Sequence, residues 1–146
     1  MQGIEWIPGI RETVPEIFAR ALAERPNDIF IDMAGEMITF AQFEAEVNRL
    51  AHGLAGEGVG PGATVCALAD TSMDMLYFWF AANRLGAIWV PINSALKGEF
   101  LRHQIDDCDA RIMIADAHYA DRITKVADKL AKLEVLFLRN PGQVAT

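Results

Sequence analysis

The stretch Ala82-Asn-Arg-Leu-Gly-Ala-Ile-Trp-Val-Pro-Ile-Asn93, continued by Ser94-Ala-Leu-Lys-Gly-Glu-Phe-Leu101, decides the fold. A helical pattern runs out at Gly86, where a glycine can end a helix. A short apolar strand follows, and Pro91-x-Asn93 stops it. A polar loop then leads into another helical pattern. The same alternation extends in both directions. Strands are predicted over 64–69, 87–92, 111–115 and 134–138. Helices are predicted over 72–85, 97–107 and 117–133. Apolar strands that alternate with helices form βαβ units around a mostly parallel, doubly wound sheet. Right-handed crossovers leave few strand orders, and the one expected across the sheet is 87–92, 64–69, 111–115, 134–138. Residues 140–146 read as a loop.

Upstream the pattern differs. Thr13-Val-Pro-Glu16 and Thr39-Phe-Ala-Gln42 are capping boxes, in which the side chains of the first and fourth residues satisfy orphan amides at a helix start. Val14, Ile17, Phe18, Ala21 and Leu22 mark one helix face, and Arg25-Pro26 ends that helix. Phe43, Val47, Leu50, Ala51 and Leu54 mark the face of the second helix. Between them, 28–33 and 36–39 flank Ala34-Gly35 as a hairpin. The glycine-rich run 56–62 is the candidate boundary. It separates a helix–hairpin–helix unit, 1–58, from a βαβ unit, 59–146, both parts of one larger domain. An isolated hairpin is marginal in water. Ile29, Ile31, Met37 and Phe40 are therefore expected to form an apolar surface, a candidate for self-association.

Composition narrows the function. With 52% hydrophobic and 23% charged residues the chain is globular rather than disordered. A net charge of −7 argues against nucleic acid or an anionic membrane as partner. The apolar run 75–82 resumes at Leu85, but Asn83 and Arg84 interrupt it, and a central Arg costs about 2.5–3.5 kcal/mol on insertion. No membrane span is expected. Two cysteines are no disulfide framework. Cys66 lies in an apolar run and reads as a small core residue. Reduced thiols and no signal peptide point to the cytoplasm.

Motif by motif, structural readings prevail. Gly58-x-Gly60-x-x-Ala63 matches a dinucleotide fingerprint in letters. The order around it is reversed, helix before and strand after, so it reads as a helix cap and turn. His103, Asp106, Asp107 and Asp109 supply too few ligands in a dependable arrangement and read as a solvated helix end. Asp116 and His118 follow a strand at its carboxyl end, where ligands gather in doubly wound sheets, and Asp116 reads as an N-cap. Ser72 and Asp74 open a helix outside any Gly-x-Ser-x-Gly context and read as capping residues. No catalytic constellation and no metal site is assigned.

Three segments carry a resemblance. Ile38-Thr-Phe-Ala-Gln-Phe-Glu44, running on through Asn48-Arg-Leu-Ala51, looks like an "L-T-Y-x-E-L" helix start. Ala63-Thr-Val-Cys-Ala-Leu68 with Asp70-Thr-Ser-Met-Asp74 looks like the strand and cap that follow. Leu85-Gly-Ala-Ile-Trp-Val-Pro-Ile-Asn93 is similar to "K-A-G-A-x-x-V-P-L-N". Their order resembles the N-terminal portion of the adenylate-forming (AMP-binding) acyl-CoA synthetases. Leu96-Lys-Gly-Glu-Phe-Leu101 is closest in wording to fatty-acid or crotonobetaine/carnitine-type CoA ligases.

The resemblance implies an α/β fold that is a partial copy of that family's N-terminal domain. It also implies an ATP-dependent, AMP-forming ligase that uses Mg²⁺ and passes an activated carboxylic acid to coenzyme A. The family's phosphate loop, Thr-Glu pair, ribose aspartate and C-terminal lysine are not in this sequence, and the phosphate loop is expected soon after residue 146. The chain alone is accordingly expected to be inactive and to bind none of these groups. The loop at Asn93, Ser94 and Lys97 corresponds to the family's coenzyme A side and is the candidate binding segment. A non-catalytic α/β binding or interaction module is the alternative.

Overall fold

The computed structural model describes residues 12–140. Residues 141–146 of the loop expected over 140–146, and the start of the N-terminal unit, lie outside them. Two helices, α1 (Val14–Glu24) and α2 (Phe40–Gly56), flank a hairpin of β1 (Ile29–Met33) and β2 (Glu36–Thr39). Both capping boxes form, Thr13 with Glu16 and Thr39 with Gln42. Ala34 and Gly35 both take positive φ, 53° and 88°, the backbone that a tight two-residue hairpin turn requires. The Asp32 carboxylate accepts the Gly35 amide at 3.0 Å across that turn.

The remaining strands, β3 (Thr64–Leu68), β4 (Ile88–Pro91), β5 (Ile112–Asp116) and β6 (Val135–Arg139), form one parallel sheet in the order β4-β3-β5-β6. This is the expected order. Between β3 and β4 runs α3 (Met73–Arg84), and between β4 and β5 runs α4 (Gly98–Asp107). Gly86 closes α3 with φ 73°, and a Cβ there would meet Pro61 Cα at 3.3 Å. Conformation and close approach together demand a glycine at this position.

Successive side chains of a strand face opposite ways, so the sheet separates two cores. Val65, Ile112 and Ile114 pack with α1, α2, α3 and the hairpin in one cluster. Cys66, Leu68, Met113 and Ala115 pack with Leu101 and Ile105 of α4 on the other face. The first cluster runs across the Gly-rich boundary at residue 58. Arg84 of α3 also grips Glu44 of α2 in a two-pronged ion pair, at 2.9 and 2.6 Å.

Two expectations need correction. The helix over 117–133 does not form as one piece. It is a 3-10 turn (Ala117–Tyr119), a short α5 (Ala120–Thr124) and a second 3-10 turn (Ala127–Lys129). Tertiary partners at the end of α4 take the segment that would have continued it. The Ala131 amide bonds the Asp106 carboxylate at 3.3 Å, and Lys132 reaches the Asp106 carbonyl and Asp109. Nor does Phe40 contribute to an open hairpin surface. It is buried at the first turn of α2, Ile31 is half-buried, and Ile29 and Met37 alone of the four are exposed.

Candidate functional site

The chain leaves β3 for β4 on one side, then returns past β3 to place β5 on its other side. Helix α3 lies on one face of the sheet and α5 on the other. The carboxyl ends of β3 and β5 are therefore neighbours whose chains diverge to opposite faces, the crevice where open α/β sheets take ligands. Asp70 stands just beyond the end of β3. Asp116 ends β5, and His118 follows it.

These residues are tied together. The Asp70 amide donates to Asp116 Oδ2 at 2.8 Å, and Arg139 Nε, from the end of β6, donates to Asp116 Oδ1 at 2.5 Å. Arg139 Nη1 also reaches Asp74 Oδ2 at 3.2 Å, at the start of α3. The Tyr119 hydroxyl donates to Asp70 Oδ1 at 2.5 Å, and His118 Nε2 lies 3.0 Å from Asp70 Oδ2. Asp116 is 2% exposed, the one buried charged residue among those described. Burial opposes its ionisation, but the Arg139 guanidinium and the Asp70 amide outweigh burial and hold its carboxyl below the usual range. Asp116 in turn holds the Arg139 guanidinium above its own usual range.

Asp116 thus departs from the capping role expected of it. Its side chain makes no cap bond to the turn that follows. The carboxylate is directed across the sheet to its register partner Arg139 instead. One ligand atom each from Asp70, Asp116 and His118 lie within 4.8 Å of one another. All four carboxylate oxygens already have partners, and Arg139 adds a positive charge. The arrangement is a polar lock between loops and not a prepared cation site.

The segment singled out in the sequence lies beside this lock. Asn93 Oδ1 accepts the Ala95 amide at 2.9 Å, and the Leu96 amide bonds the Asn93 carbonyl at 3.1 Å, which folds 93–96 into a turn. The Ser94 carbonyl accepts a bond from Arg122 Nη1. The Arg122 guanidinium also sits over the Tyr119 ring, 4.7 Å from its centroid. Asn93 and Lys97 are exposed and Ser94 is half-buried. Lys97 occupies the N-cap of α4 without making a side-chain cap bond. A cation at a helix N-terminus also opposes the helix dipole. Through Tyr119 the loop and the lock are one set, so the carboxyl ends of all four strands are cross-linked.

The other sequence candidates fall elsewhere. Ser72 caps α3, accepting the Met75 amide at 3.4 Å. His103 faces Asp107 at 3.8 Å on the exposed side of α4, Asp106 pairs with Arg102, and Asp109 pairs with Lys132. At the end of α2, the amides of Gly58 and Val59 bond the carbonyls of Ala55 and Leu54, and Gly58 takes φ 89°. That is a helix cap. Sequence reading missed Tyr119, Arg122 and Arg139. The signal for Arg139 was present, because the expected strand order sets it opposite Asp116 once register is assigned.

Comparison with known proteins agrees with the geometry. A family model described as AMP-binding enzyme matches residues 18–143. The 3-hydroxybenzoate–CoA ligase of Aromatoleum sp. (strain CIB) is 30% identical over 132 residues, 90% of this chain and 25% of that protein. Gramicidin S synthase 2 of Brevibacillus brevis is 25% identical over 112 residues, 77% of this chain and 2% of that protein. Among solved structures, the anthranilate CoA ligase AuaEII in complex with anthranoyl-AMP superposes with a TM-score of 0.80 at 29% identity, over 90% of this chain and 25% of that one. The N-terminal domain of FACL13 from Mycobacterium tuberculosis superposes with a TM-score of 0.81 at 22% identity, over 88% and 34% of the two chains, and shares the fold. The chain spans about a quarter to a third of the length of the CoA ligases it matches. With the sheet order, the switch point and this continuous match in agreement, the chain belongs to the AMP-binding enzyme family.

Proposed function

We propose that these residues form the N-terminal part of an ATP-dependent, AMP-forming acyl-CoA ligase. In that reaction a carboxylate attacks the α-phosphate of ATP, releasing pyrophosphate and leaving an acyl-adenylate. The thiol of coenzyme A then displaces AMP to give the thioester. The observation that carries this reading is the unbroken family match over 18–143 on a chain that aligns with a quarter of a CoA ligase. The relatives include ligases of aromatic and of long-chain fatty acids by name, so the substrate class is a carboxylic acid.

The role assigned to this part is a platform. Asp70, Asp116, Tyr119, Arg122 and Arg139 hold four strand-end loops in fixed relation, so a substrate seated beside them meets groups that need not reorganise. Within the platform, Asn93, Ser94 and Lys97 form the coenzyme A side. Lys97 is the residue to hold an anionic group, being exposed and unused as a cap. A triphosphate with Mg²⁺ does not fit the residues present. The crevice is lined by Asp70 and Asp116, and its guanidiniums are engaged with Asp116, Asp74 and the Ser94 carbonyl. Those groups belong to the remainder of the proposed enzyme, and the 146-residue chain alone is inactive in this reading.

Carboxylate-dependent exchange of labelled pyrophosphate into ATP tests it. The expected result is no exchange by the 146-residue chain, and exchange when the chain is joined to the remainder of a CoA-ligase relative. Exchange by neither, with both proteins folded, would replace the ligase by the non-catalytic module. Exchange by the short chain alone would overturn the platform role.

A further inference from the structure

We propose that the cavity between α2, α3 and β6 is a binding site for an apolar amine, a molecule with an aromatic or alicyclic body and a protonated amino group. The cavity holds about 460 Å³, within the range of small-molecule sites. Its walls are Leu50 and Leu54 of α2, Phe78 of α3, Ile114 of β5 and Phe137 of β6. All five belong to the apolar cluster that α2 and α3 share with the sheet, and Leu54 and Ile114 are buried. The cavity lies apart from Asn93, Ser94 and Lys97, none of which lines it. No step of the ligase reaction is needed for it.

Tyr77 of α3 is the polar group set into this apolar wall. The residue is 8% exposed, and its ring packs on Phe43 with centroids 5.1 Å apart, which holds the side chain in place. Its hydroxyl makes no hydrogen bond among the described residues. Every sealed side-chain polar atom among those residues has a partner, so a hydroxyl without one is open, in the cavity that Tyr77 lines. An unpaired hydroxyl in an apolar wall costs free energy that a ligand recovers by bonding to it. Burial raises the Tyr77 pKa, and the carboxylates of Glu36, Glu46 and Asp74 raise it further. The hydroxyl therefore keeps its proton and sits in a negative field.

The charges at the rim select a cation. Arg49 and Arg139 both line the cavity, but both are engaged. Arg49 bonds Glu46 at 3.0 and 2.9 Å, and Arg139 bonds Asp116 and Asp74. The lining carboxylates are less committed. Asp74 gives Arg139 only its Oδ2, and exposed Glu57 makes no ion pair among the described residues. Glu57 is also the C-cap of α2, where the negative end of the helix dipole adds to its charge and no basic residue sits in the last turn. A carboxylate ligand would meet Glu57, Asp74 and this helix end with no free cation to hold it. An ammonium group meets all three favourably, and the Tyr77 oxygen can accept one of its N–H bonds. The chain's net charge of −7 favours the approach of a cation as well.

Equilibrium dialysis of the 146-residue chain against matched naphthalene probes tests the site. The probes are naphthylmethylamine, naphthylmethanol and naphthylacetate at neutral pH. The amine should bind saturably and about tenfold tighter than the acetate, with the alcohol between them. Glu57→Gln should weaken the amine about threefold, as an exposed charge pair allows, and leave the alcohol unchanged. Tyr77→Phe should weaken the amine and the alcohol together. Gly53→Trp tests the place. A Cβ added at Gly53 meets nothing within 4 Å, and a glycine inside a helix is a poor helix former, so this variant keeps the fold while its ring fills the cavity. It should abolish binding of all the probes. No saturable binding of the amine, equal binding of the probes by the wild-type chain, or amine binding that survives Gly53→Trp would overturn the proposal. So would amine binding that falls as the protein is concentrated, which would assign the cavity to a second copy.

Discussion

The central strands β3 and β5 and the edge strands β4 and β6 share one sheet but differ in cover. Every residue of β5 is buried and β3 is buried from its second residue, whereas β4 and β6 are half-buried or exposed along their length. The register explains β6. Val135 and Phe137 align with Ile112 and Ile114 and pack onto the cluster under α2 and α3. Leu136 and Leu138 align with Met113 and Ala115, on the face of α4 and α5, and remain 36% and 37% exposed. An unbroken helix over 117–133 could have covered them. The short α5 leaves them uncovered, so stability is concentrated at the centre of the fold and the edges are open to further structure.

The most severe break of that comparison is at the central aromatic cluster. Phe43 is fully buried and contacts Phe18, Phe30, Tyr77 and Phe80, with ring centroids 4.9 to 5.5 Å away. Phe43→Ala should lose about 3–5 kcal/mol, from lost transfer energy and the cavity left behind. Urea unfolding checks this, and a loss below about 1 kcal/mol would mean that the hairpin and α1 collapse into the gap. The cluster joins the two sides of residue 58, so a single unfolding transition is expected across the whole described chain.

Next in size is the lock at the strand ends. Asp116→Asn keeps the shape but removes the charge facing Arg139, and breaking a buried pair costs about 3 kcal/mol where the remaining charge is stranded. Asp74 still faces Arg139 and part of the guanidinium is in solvent, which puts the expected loss at about 2 kcal/mol. The sign with pH follows from the depressed carboxyl. Its folded pKa lies below its unfolded one, so its stabilisation is complete above the unfolded value. It is lost as pH falls through the lower folded value. The gap between wild type and variant, measured by denaturant midpoints, should be constant near neutrality and close only in acid. A gap that closes near pH 6 would assign the effect to another group.

Much of this centre was legible in sequence because it rests on local signals and on a chirality rule. Two capping boxes mark helix starts, Gly86 and Pro91 bracket a strand, and right-handed crossovers leave few strand orders. What was not legible depends on partners far away in the chain. Residues 117–133 have the composition of a helix, but Asp106 and Asp109 draw in Ala131 and Lys132 and the helix gives way. Asp116 has the local look of an N-cap, and only β6 in register supplies the arginine that claims it. The Asn93 turn could be read from its own sequence. The Arg122 bond to the Ser94 carbonyl, which anchors that turn, could not.

A more modest sharpening concerns α2, which carries Phe43. Thr39→Ala removes the side chain that accepts the Gln42 amide at 3.2 Å, while the Gln42 side chain still bonds the residue 39 amide. A lost N-cap is expected to lower stability by about 1 kcal/mol. Thr39→Ser should restore most of it. If serine does not restore it, the threonine acts through its methyl group at the end of β2 and not as a cap.

The smallest effect is expected at the uncovered edge. Leu138→Gln places a polar group where the side chain is already more than a third exposed, and surface changes of this kind stay within about 0.5 kcal/mol. The dependence on protein concentration matters more than the size. A chain that stands alone unfolds at a midpoint independent of concentration, in wild type and variant alike. If a second copy covers Leu136 and Leu138, the wild-type midpoint rises with concentration by mass action and the glutamine abolishes that rise. Thermal unfolding across a hundredfold range of concentration separates the two cases. A concentration-dependent midpoint unchanged by Leu138→Gln but removed by Met37→Gln would move the contact to the hairpin, where Ile29 and Met37 are the exposed apolar pair.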